Sequence, residues 1–437
     1  MFGIRALRSV SKAGPVPVMQ TLKQCGGSLN QLQSYHRRAG GAGGAGGAGG
    51  QDDHRRTIIS VAPAADVKPA RLEPETFYKA VWDQGIRFFT GVPDSRLKDF
   101  CAYVTNNTTS DDHVITSNEG AAVGLASGYH LASGKVPMVY LQNSGLGNMV
   151  NPLMSLAAPS VYSIPMLLLI GWRGEPGQLV KWWCTYTMGI PCEILPKDET
   201  EMQELLTRAT THFETNKAPY AVLVKSDTFS KYSLPQIKNP FPLTREEALV
   251  KVIDCLNDKD AVVGSTGMLS RELFEYRVLM QMGHARDFLT VGSMGHASSI
   301  ALGIALQKPS RQVFCLDGDG AVLMHMGAMA TIGQQGPSNF KHIVFNNGVH
   351  DSVGGQPTEA GNHENFDFCG IARACGYKEA MVASTPEEIE EKVGLLHEGQ
   401  GPVLLELKVK LGSRSDLGRP TRTTLENKMD FMDFLKA

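Results

Sequence analysis

Two short motifs hold the residues of this chain best suited to chemistry. The run Val313-Phe314-Cys315-Leu316 reads as a buried strand ending in Asp317-Gly318-Asp319-Gly320, ahead of a helical stretch from Ala321 to Gln335. A second apolar run, Ile343-Val344-Phe345, ends in Asn346-Asn347-Gly348. The 25 residues from 321 to 345 suffice for a crossover helix and a returning parallel strand, so both motifs fit one βαβ unit. Asp319 and Asn347 would then lie side by side at the carboxyl ends of neighbouring strands, where α/β sheets bind ligands. A carboxylate, an amide oxygen and a nearby backbone carbonyl form an all-oxygen set suited to Mg²⁺, which keeps positions for water and ligand phosphates. Gly318 and Gly320 let the backbone approach a diphosphate, and the following helix N-terminus favours its charge. A lone Gly-Asp-Gly is an ordinary turn; the paired Asn one crossover later gives this one its specificity.

A third motif, Ser117-Asn118-Glu119-Gly120-Ala121-Ala122, stands at the mouth of a predicted helix that Ser117 or Asn118 can cap. Gly120, Gly124 and Gly128 recur at every fourth position, a side-chain-free face that belongs in an interior or a subunit interface. A glutamate at the buried start of such a helix is desolvated, which raises its pKa and suits it to share a proton. In isolation, Glu119 reads better as an ordinary first-turn acid complementing the helix dipole; the cofactor motif downstream reverses that preference.

The elements that position these residues alternate. From Val67 onward, β-rich runs and helical stretches follow one another as in an α/β protein with parallel sheets covered on both faces. Candidate strands are 88–90, 138–141, 166–170, 221–224, 261–263, 313–316, 342–345 and 403–407. Two late strands look alike, Pro219-Tyr220-Ala221-Val222-Leu223 and Pro402-Val403-Leu404-Leu405-Glu406, with their prolines 183 positions apart. Ser226 to Pro242, rich in Pro, Ser and Lys, reads as a linker. The predicted plan is a leader and spacer over 1–66, then two similar doubly wound parallel-sheet domains over 67–235 and 243–437.

Composition agrees with a globular enzyme and excludes several other classes. The 437 residues are 42% hydrophobic and 20% charged, unlike collagen, a coiled coil or a disordered chain. Residues 1–50 hold six Lys or Arg and no acid, which leaves 36 basic against 44 acidic side chains beyond them. That mildly acidic body argues against a nucleic-acid footprint. The longest apolar stretch, near Met166 to Ile170, is far short of the roughly 18 to 20 residues a membrane span needs. Eight cysteines form no CxxC pair, a scatter that favours reduced thiols over a disulfide framework or zinc site. Arg5, Arg8 and Lys12 share one helical face of the leader, which reads as a mitochondrial transit peptide, and the Ala39–Gly50 run as a flexible spacer. A mitochondrial matrix location is the expectation, or a cytoplasmic one if the leader is not functional.

The Gly-Asp-Gly followed one βαβ unit later by Asn-Asn resembles the motif of thiamine-diphosphate enzymes. By that resemblance Asp319, the Asn347 side chain and the main-chain oxygen of Val349 hold Mg²⁺, and Glu119 bonds the coenzyme's pyrimidine ring. Gly292-Ser293-Met294-Gly295 is similar to the family segment in which a bulky apolar side chain, here Met294, wedges between the coenzyme's rings while Gly292 offers its carbonyl to the amino group. The resemblance also implies a pyrimidine-binding domain followed by a diphosphate-binding domain, and active sites shared between chains of a homodimer or higher oligomer.

Longer stretches resemble the phosphonopyruvate decarboxylase family: Phe89 to Ser95, Ser117 to Tyr129, Leu141 to Asn148, Asn346 to Thr358, Gly412-Ser413-Arg414 and Asp416 to Pro420. The likeness covers nearly all of residues 72–437 and implies no middle domain. It implies decarboxylation of 3-phosphonopyruvate to phosphonoacetaldehyde. A sulfopyruvate or other 2-keto acid decarboxylase and a non-catalytic paralogue stay open. Asp94, His350 and Asp351 are candidates for proton transfer, with His113 more simply a polar structural residue. A substrate with carboxylate and phosphonate groups needs cationic partners, and Arg96, Arg173, Arg414 and Arg419 lie in the family-like segments. One departure stands out: after Gly177 the chain reads Gln178-Leu179-Val180-Lys181-Trp182-Trp183-Cys184, where the family has an acidic stretch.

Overall fold

The computed structural model describes residues 71–173, 188–235 and 239–437. The predicted leader and spacer, and the segment 178–184, lie outside the described residues. In the front half the strands are β1 (Phe89–Gly91), β2 (His113–Ile115), β3 (Met138–Gln142), β4 (Leu167–Gly171), β5 (Cys192–Ile194) and β6 (Tyr220–Val224). Its helices are α1 (Pro74–Asp83), α2 (Lys98–Asn107), α3 (Glu119–Ser133), α4 (Leu146–Pro152) and α5 (Glu199–Asn216). The rear half contains β7 (Ala261–Gly264), β8 (Asp287–Leu289), β9 (Val313–Gly318), β10 (Phe340–Asn346), the short β11 (Val349–His350) and β12 (Gln356–Pro357), β13 (Glu379–Ala383) and β14 (Val403–Lys408). Its helices are α6 (Arg245–Asp254), α7 (Met268–Leu279), α8 (Ala297–Gln307), α9 (Asp319–Met324), α10 (Gly327–Gln335), α11 (Phe368–Cys375), α12 (Pro386–Glu398) and α13 (Thr424–Lys436).

Each half builds a six-stranded sheet, in the order β2-β1-β3-β4-β6-β5 and, read from its far edge, β8-β7-β9-β10-β14-β13. All pairings within these two sheets are parallel. The orders are the same when strands are numbered within each half, so the likeness of the two Pro-led strands is structural: β6 and β14 occupy equivalent positions. Burial on both faces explains the near-continuous apolar runs: every residue of Leu167–Gly171 and Tyr220–Val224 is buried. Apolar clusters lie on both sides of each sheet, with Leu167 and Leu169 in one front-half cluster, Leu168 and Ile170 in the other.

All eight candidate strands form, shifted by at most two residues at either end. The edge strands β2, β5, β8 and β13 escape the sequence reading because they are short or half-exposed, and so lack a long apolar run. The predicted helix over 321–335 is two helices, α9 and α10, interrupted at His325 and Met326. Of the two places expected for the glycine face of α3, an interior or a subunit interface, the first does not hold within one chain. Gly120 packs on the Asn148 carbonyl, but a Cβ at Gly124 or Gly128 would meet only open space. Within one chain this face is therefore exposed rather than interior.

Candidate active site

The Asp319–Asn347 juxtaposition follows from register. β9 and β10 are adjacent and parallel, with Gly318 opposite Phe345. Asp319 opens α9 directly after β9, and Asn347 follows β10 by one residue. Both line a cleft of about 80 Å³ together with Thr266, Gly267, Met294 and His350. Every lining residue falls between Arg245 and Ser352, so the cleft belongs to the rear half.

The residues present fit a diphosphate held through Mg²⁺. The donor set of Asp319, Asn347 and the Val349 carbonyl is all oxygen, as a hard cation requires. A Cβ at Gly318 or Gly267 would meet no protein atom, which leaves space on the cleft wall for a close ligand. The twelve-residue α7 starts at the cleft, and its N-cap Gly267 supplies no side-chain acceptor. The first-turn N–H groups thus remain available to an anion.

Asp319 is 3% exposed, and burial pushes its carboxyl up to about 7 against the bonds it accepts from Thr358 Oγ1 and the backbone. A bound cation reverses that tendency by favouring the ionised form. Asn347 is held by its own turn: Oδ1 accepts from Val349 N at 3.1 Å, and Nδ2 donates to Asp351 Oδ2 at 2.7 Å. Gly320 lines the cleft and also makes room for the imidazole of His350, since a Cβ there would come within 2.6 Å of that ring. Burial lowers the His350 pKa to about 4, which leaves the ring neutral near pH 7.

Asp351 is engaged on both oxygens. Oδ2 accepts from Arg245 Nη1 at 2.5 Å as well as from Asn347, and Oδ1 accepts from Gly412 N at 3.2 Å. Gly292 and Gly295 adopt positive φ, 73° and 83°, which L side chains avoid. This turn places Met294 on the cleft wall, and Gly292 N donates to Thr266 Oγ1.

The front half presents a second cluster where the strands β1, β3 and β4 end and after β2. Glu119 is the first residue of α3, whose start is fixed by Asn118 Oδ1 accepting from Ala121 N. The glutamate is 4% exposed. Burial raises its pKa, only partly offset by the bond that Oε2 accepts from Asn148 Nδ2 at 2.7 Å. Oε1 lies beside Gly145, where a Cβ would come within 2.0 Å of it. Asp94, after β1, is fully buried and also raised by burial, despite its 3.1 Å ion pair with Arg173. Gly171, which ends β4, leaves the room for it: a Cβ there would lie 1.9 Å from Asp94 Oδ1. Asn143, after β3, braces the backbone of Arg173 through both ends of its amide.

Asp94, Glu119 and Arg173 therefore gather at one end of the front sheet, and Asp319, Asn347, Val349, His350, Asp351 and Met294 at the rear cleft. Asn118, next to Glu119, donates to the Met324 carbonyl at the end of α9 opposite Asp319. His113 lies within β2 and bonds Tyr140 Oη at 2.7 Å. Its pKa is lowered to about 4 by burial, as suits a structural histidine. Arg414 is taken up by Glu246, Glu275 and Asp416. Sequence reasoning missed Arg245, Glu272, Asn148 and the Thr266-Gly267 turn. Only the last carries a local signal, a buried strand followed by Ser-Thr-Gly and a helix.

A cleft whose residues fit a hard cation and a diphosphate in one α/β half, with a buried carboxyl of raised pKa in the other, suits an enzyme that works through a diphosphate coenzyme. The N-terminal TPP binding domain of thiamine pyrophosphate enzymes matches residues 75–189, and their C-terminal TPP binding domain matches residues 263–407. Phosphonopyruvate decarboxylase of Streptomyces viridochromogenes is 31% identical over 384 residues, 80% of this chain and 92% of that one. The protein of the same name from Streptomyces hygroscopicus is 30% identical over 80% of this chain and 90% of its own length. Sulfopyruvate decarboxylase of Methanosarcina acetivorans is 28% identical over 70% and 83%. The chain belongs to the family of thiamine-diphosphate-dependent 2-keto acid decarboxylases, carboxy-lyases that use the coenzyme with Mg²⁺. It has two such α/β halves and no middle domain.

Proposed function

We propose that this chain decarboxylates 3-phosphonopyruvate to phosphonoacetaldehyde and CO₂, a step of phosphonate biosynthesis. The observation that carries the substrate reading is the likeness to the two Streptomyces phosphonopyruvate decarboxylases, 31% and 30% identical and matched over about nine-tenths of their own length.

The bound coenzyme supplies the electron sink for loss of CO₂. The chain supplies placement and protons. Asp319, Asn347 and the Val349 carbonyl hold Mg²⁺, the α7 N-terminus faces the diphosphate, and Met294 shapes the cleft. Glu119 keeps Oε2 on Asn148 and exchanges a proton at Oε1. Asp94 and the neutral His350 ring stand at the two clusters for the proton that replaces CO₂ on carbon.

Sulfopyruvate is the second reading, favoured by the Methanosarcina relative; its sulfonate carries one charge where the phosphonate carries up to two. Phosphorus NMR of the purified protein with Mg²⁺, thiamine diphosphate and phosphonopyruvate tests the choice. A growing phosphonoacetaldehyde resonance supports the first reading, while turnover confined to sulfopyruvate supports the second.

The active unit is a homodimer or larger assembly. Supporting this, no front-half residue among the described residues lines the rear cleft, and the open glycine face of α3 carries the exposed Leu125 and Leu131. The domain boundary falls in the 226–242 linker. The first 66 residues direct the protein to mitochondria, and a fusion of that segment to a fluorescent protein should localise there.

A further inference from the structure

A magnesium ligand that is an asparagine poses a problem an aspartate does not. One end of the amide is an acceptor and the other a donor, and only the oxygen can bind a cation. We infer that Asp351 is a positioning residue that fixes the Asn347 amide so that Oδ1, not Nδ2, faces the metal, and that Arg245 and Glu272 hold Asp351 in that role. The inference rests on Asp319, Asn347 and Val349 being the ligand set.

The chemistry of the contact settles the orientation. The atom of Asn347 that lies 2.7 Å from Asp351 Oδ2 must be the nitrogen, because an ionised carboxylate only accepts. The same Oδ2 accepts from Arg245 Nη1, and Oδ1 accepts from Gly412 N, so the carboxylate is held on both oxygens. Arg245 cannot turn away, because its Nε and Nη2 form a fork on Glu272, each bond 2.8 Å. Arg245 and Glu272 are 6% and 1% exposed, so the fork is shielded from solvent.

The chain of contacts is thus Glu272, Arg245, Asp351, Asn347. Glu272 lies on α7, whose N-terminus opens on the cleft, and Arg245 starts α6. One relay ties the diphosphate-facing helix to the metal ligand. Metal sites lose affinity when such supporting groups are removed. Asp351 therefore acts through Asn347 and moves no proton.

The test reads the Mg²⁺ concentration that half-saturates thiamine diphosphate binding, by calorimetry or tryptophan fluorescence, without turnover. Asp351→Ala should raise it by about 10- to 100-fold, because only the 3.1 Å bond from Val349 N to Oδ1 then opposes turning the amide nitrogen inward. Asp351→Asn, which loses the charge but keeps an acceptor, should raise it distinctly less. Adding Asn347→Asp to Asp351→Ala should restore it toward wild type, because a carboxylate presents oxygen whichever way it turns. With Mg²⁺ saturating, the KM for the keto acid should be unchanged in Asp351→Ala.

Wild-type Mg²⁺ dependence in Asp351→Ala overturns the inference. So does an Asp351→Asn variant as impaired as Asp351→Ala, which would mean charge alone, or a folded double variant that shows no recovery. Asp319→Ala separates the two layers: if it binds coenzyme with unchanged Mg²⁺ dependence, the ligand set itself is wrong. Should Asp351→Ala fail to fold by circular dichroism, Asp351→Ser takes its place with the same readout and the same outcomes.

Discussion

Glu119 is held where an ionised carboxylate is costly. Its folded pKa is raised by burial, so its stability contribution is present at low pH and lost as pH rises through that value. Glu119→Gln should therefore make the coenzyme-free protein more stable than wild type at pH above the raised Glu119 pKa, with the gap closing as pH falls below the ordinary glutamate value of about 4.3. Thermal melts across that range check it. The same variant should bind thiamine diphosphate and Mg²⁺ normally yet lose about 10²- to 10⁴-fold in kcat, the usual worth of a positioned acid or base. Gly145→Ala reaches the same carboxyl from outside, since the added carbon would lie 2.0 Å from Oε1. It should lower kcat while leaving coenzyme affinity intact, and an unchanged kcat would show that Oε1 is not confined there.

At the scale of elements, the site depends on helices packed closer than side chains allow. α10 meets the end of α11 where a Cβ at Gly333 would come 1.9 Å from the Cys375 carbonyl. A backbone atom cannot rotate away, so Gly333→Ala should destabilise by about 1 to 3 kcal/mol, read as a lowered Tm, with coenzyme affinity changed little in the folded fraction. The βαβ unit behind the metal motif was legible in the sequence because its two strands are long apolar runs that each end in Gly, Asp or Asn. Glu119 was legible as a capped helix start, and its burial followed from the glycine spacing, although Gly124 and Gly128 turned out to face open space. Arg245 and Glu272 were not legible. They sit at separate places on α6 and α7 and meet only when those helices pack, and Asp351, the other partner of Arg245, lies 106 residues beyond it. The edge strands were equally hidden, since β2, β5 and β8 have three residues each and the five of β13 are partly exposed, too little for an apolar run.

The two halves have one strand order but different duties: the front half ends its strands in Asp94, Asn143 and Arg173, the rear half in Asp319 and Asn347. Equivalent sheets thus present complementary chemistry from the same carboxyl edge, as expected of α/β sheets that bind ligands there. Among the described residues of a single chain the rear cleft has no front-half lining, and α3 exposes Leu125 and Leu131, which fits the proposed second copy. The central claim is that Glu119 of one chain and the Asp319–Asn347 cleft of another serve the same coenzyme. Co-expressing Glu119→Gln and Asp319→Ala chains with different affinity tags, and assaying the mixed assemblies, tests it most directly. Each mixed dimer would contain one site with both groups intact, so the unsorted population should recover up to about a quarter of wild-type decarboxylation, although each variant alone is nearly inactive. Mixed assemblies as inactive as their parents would contradict the account.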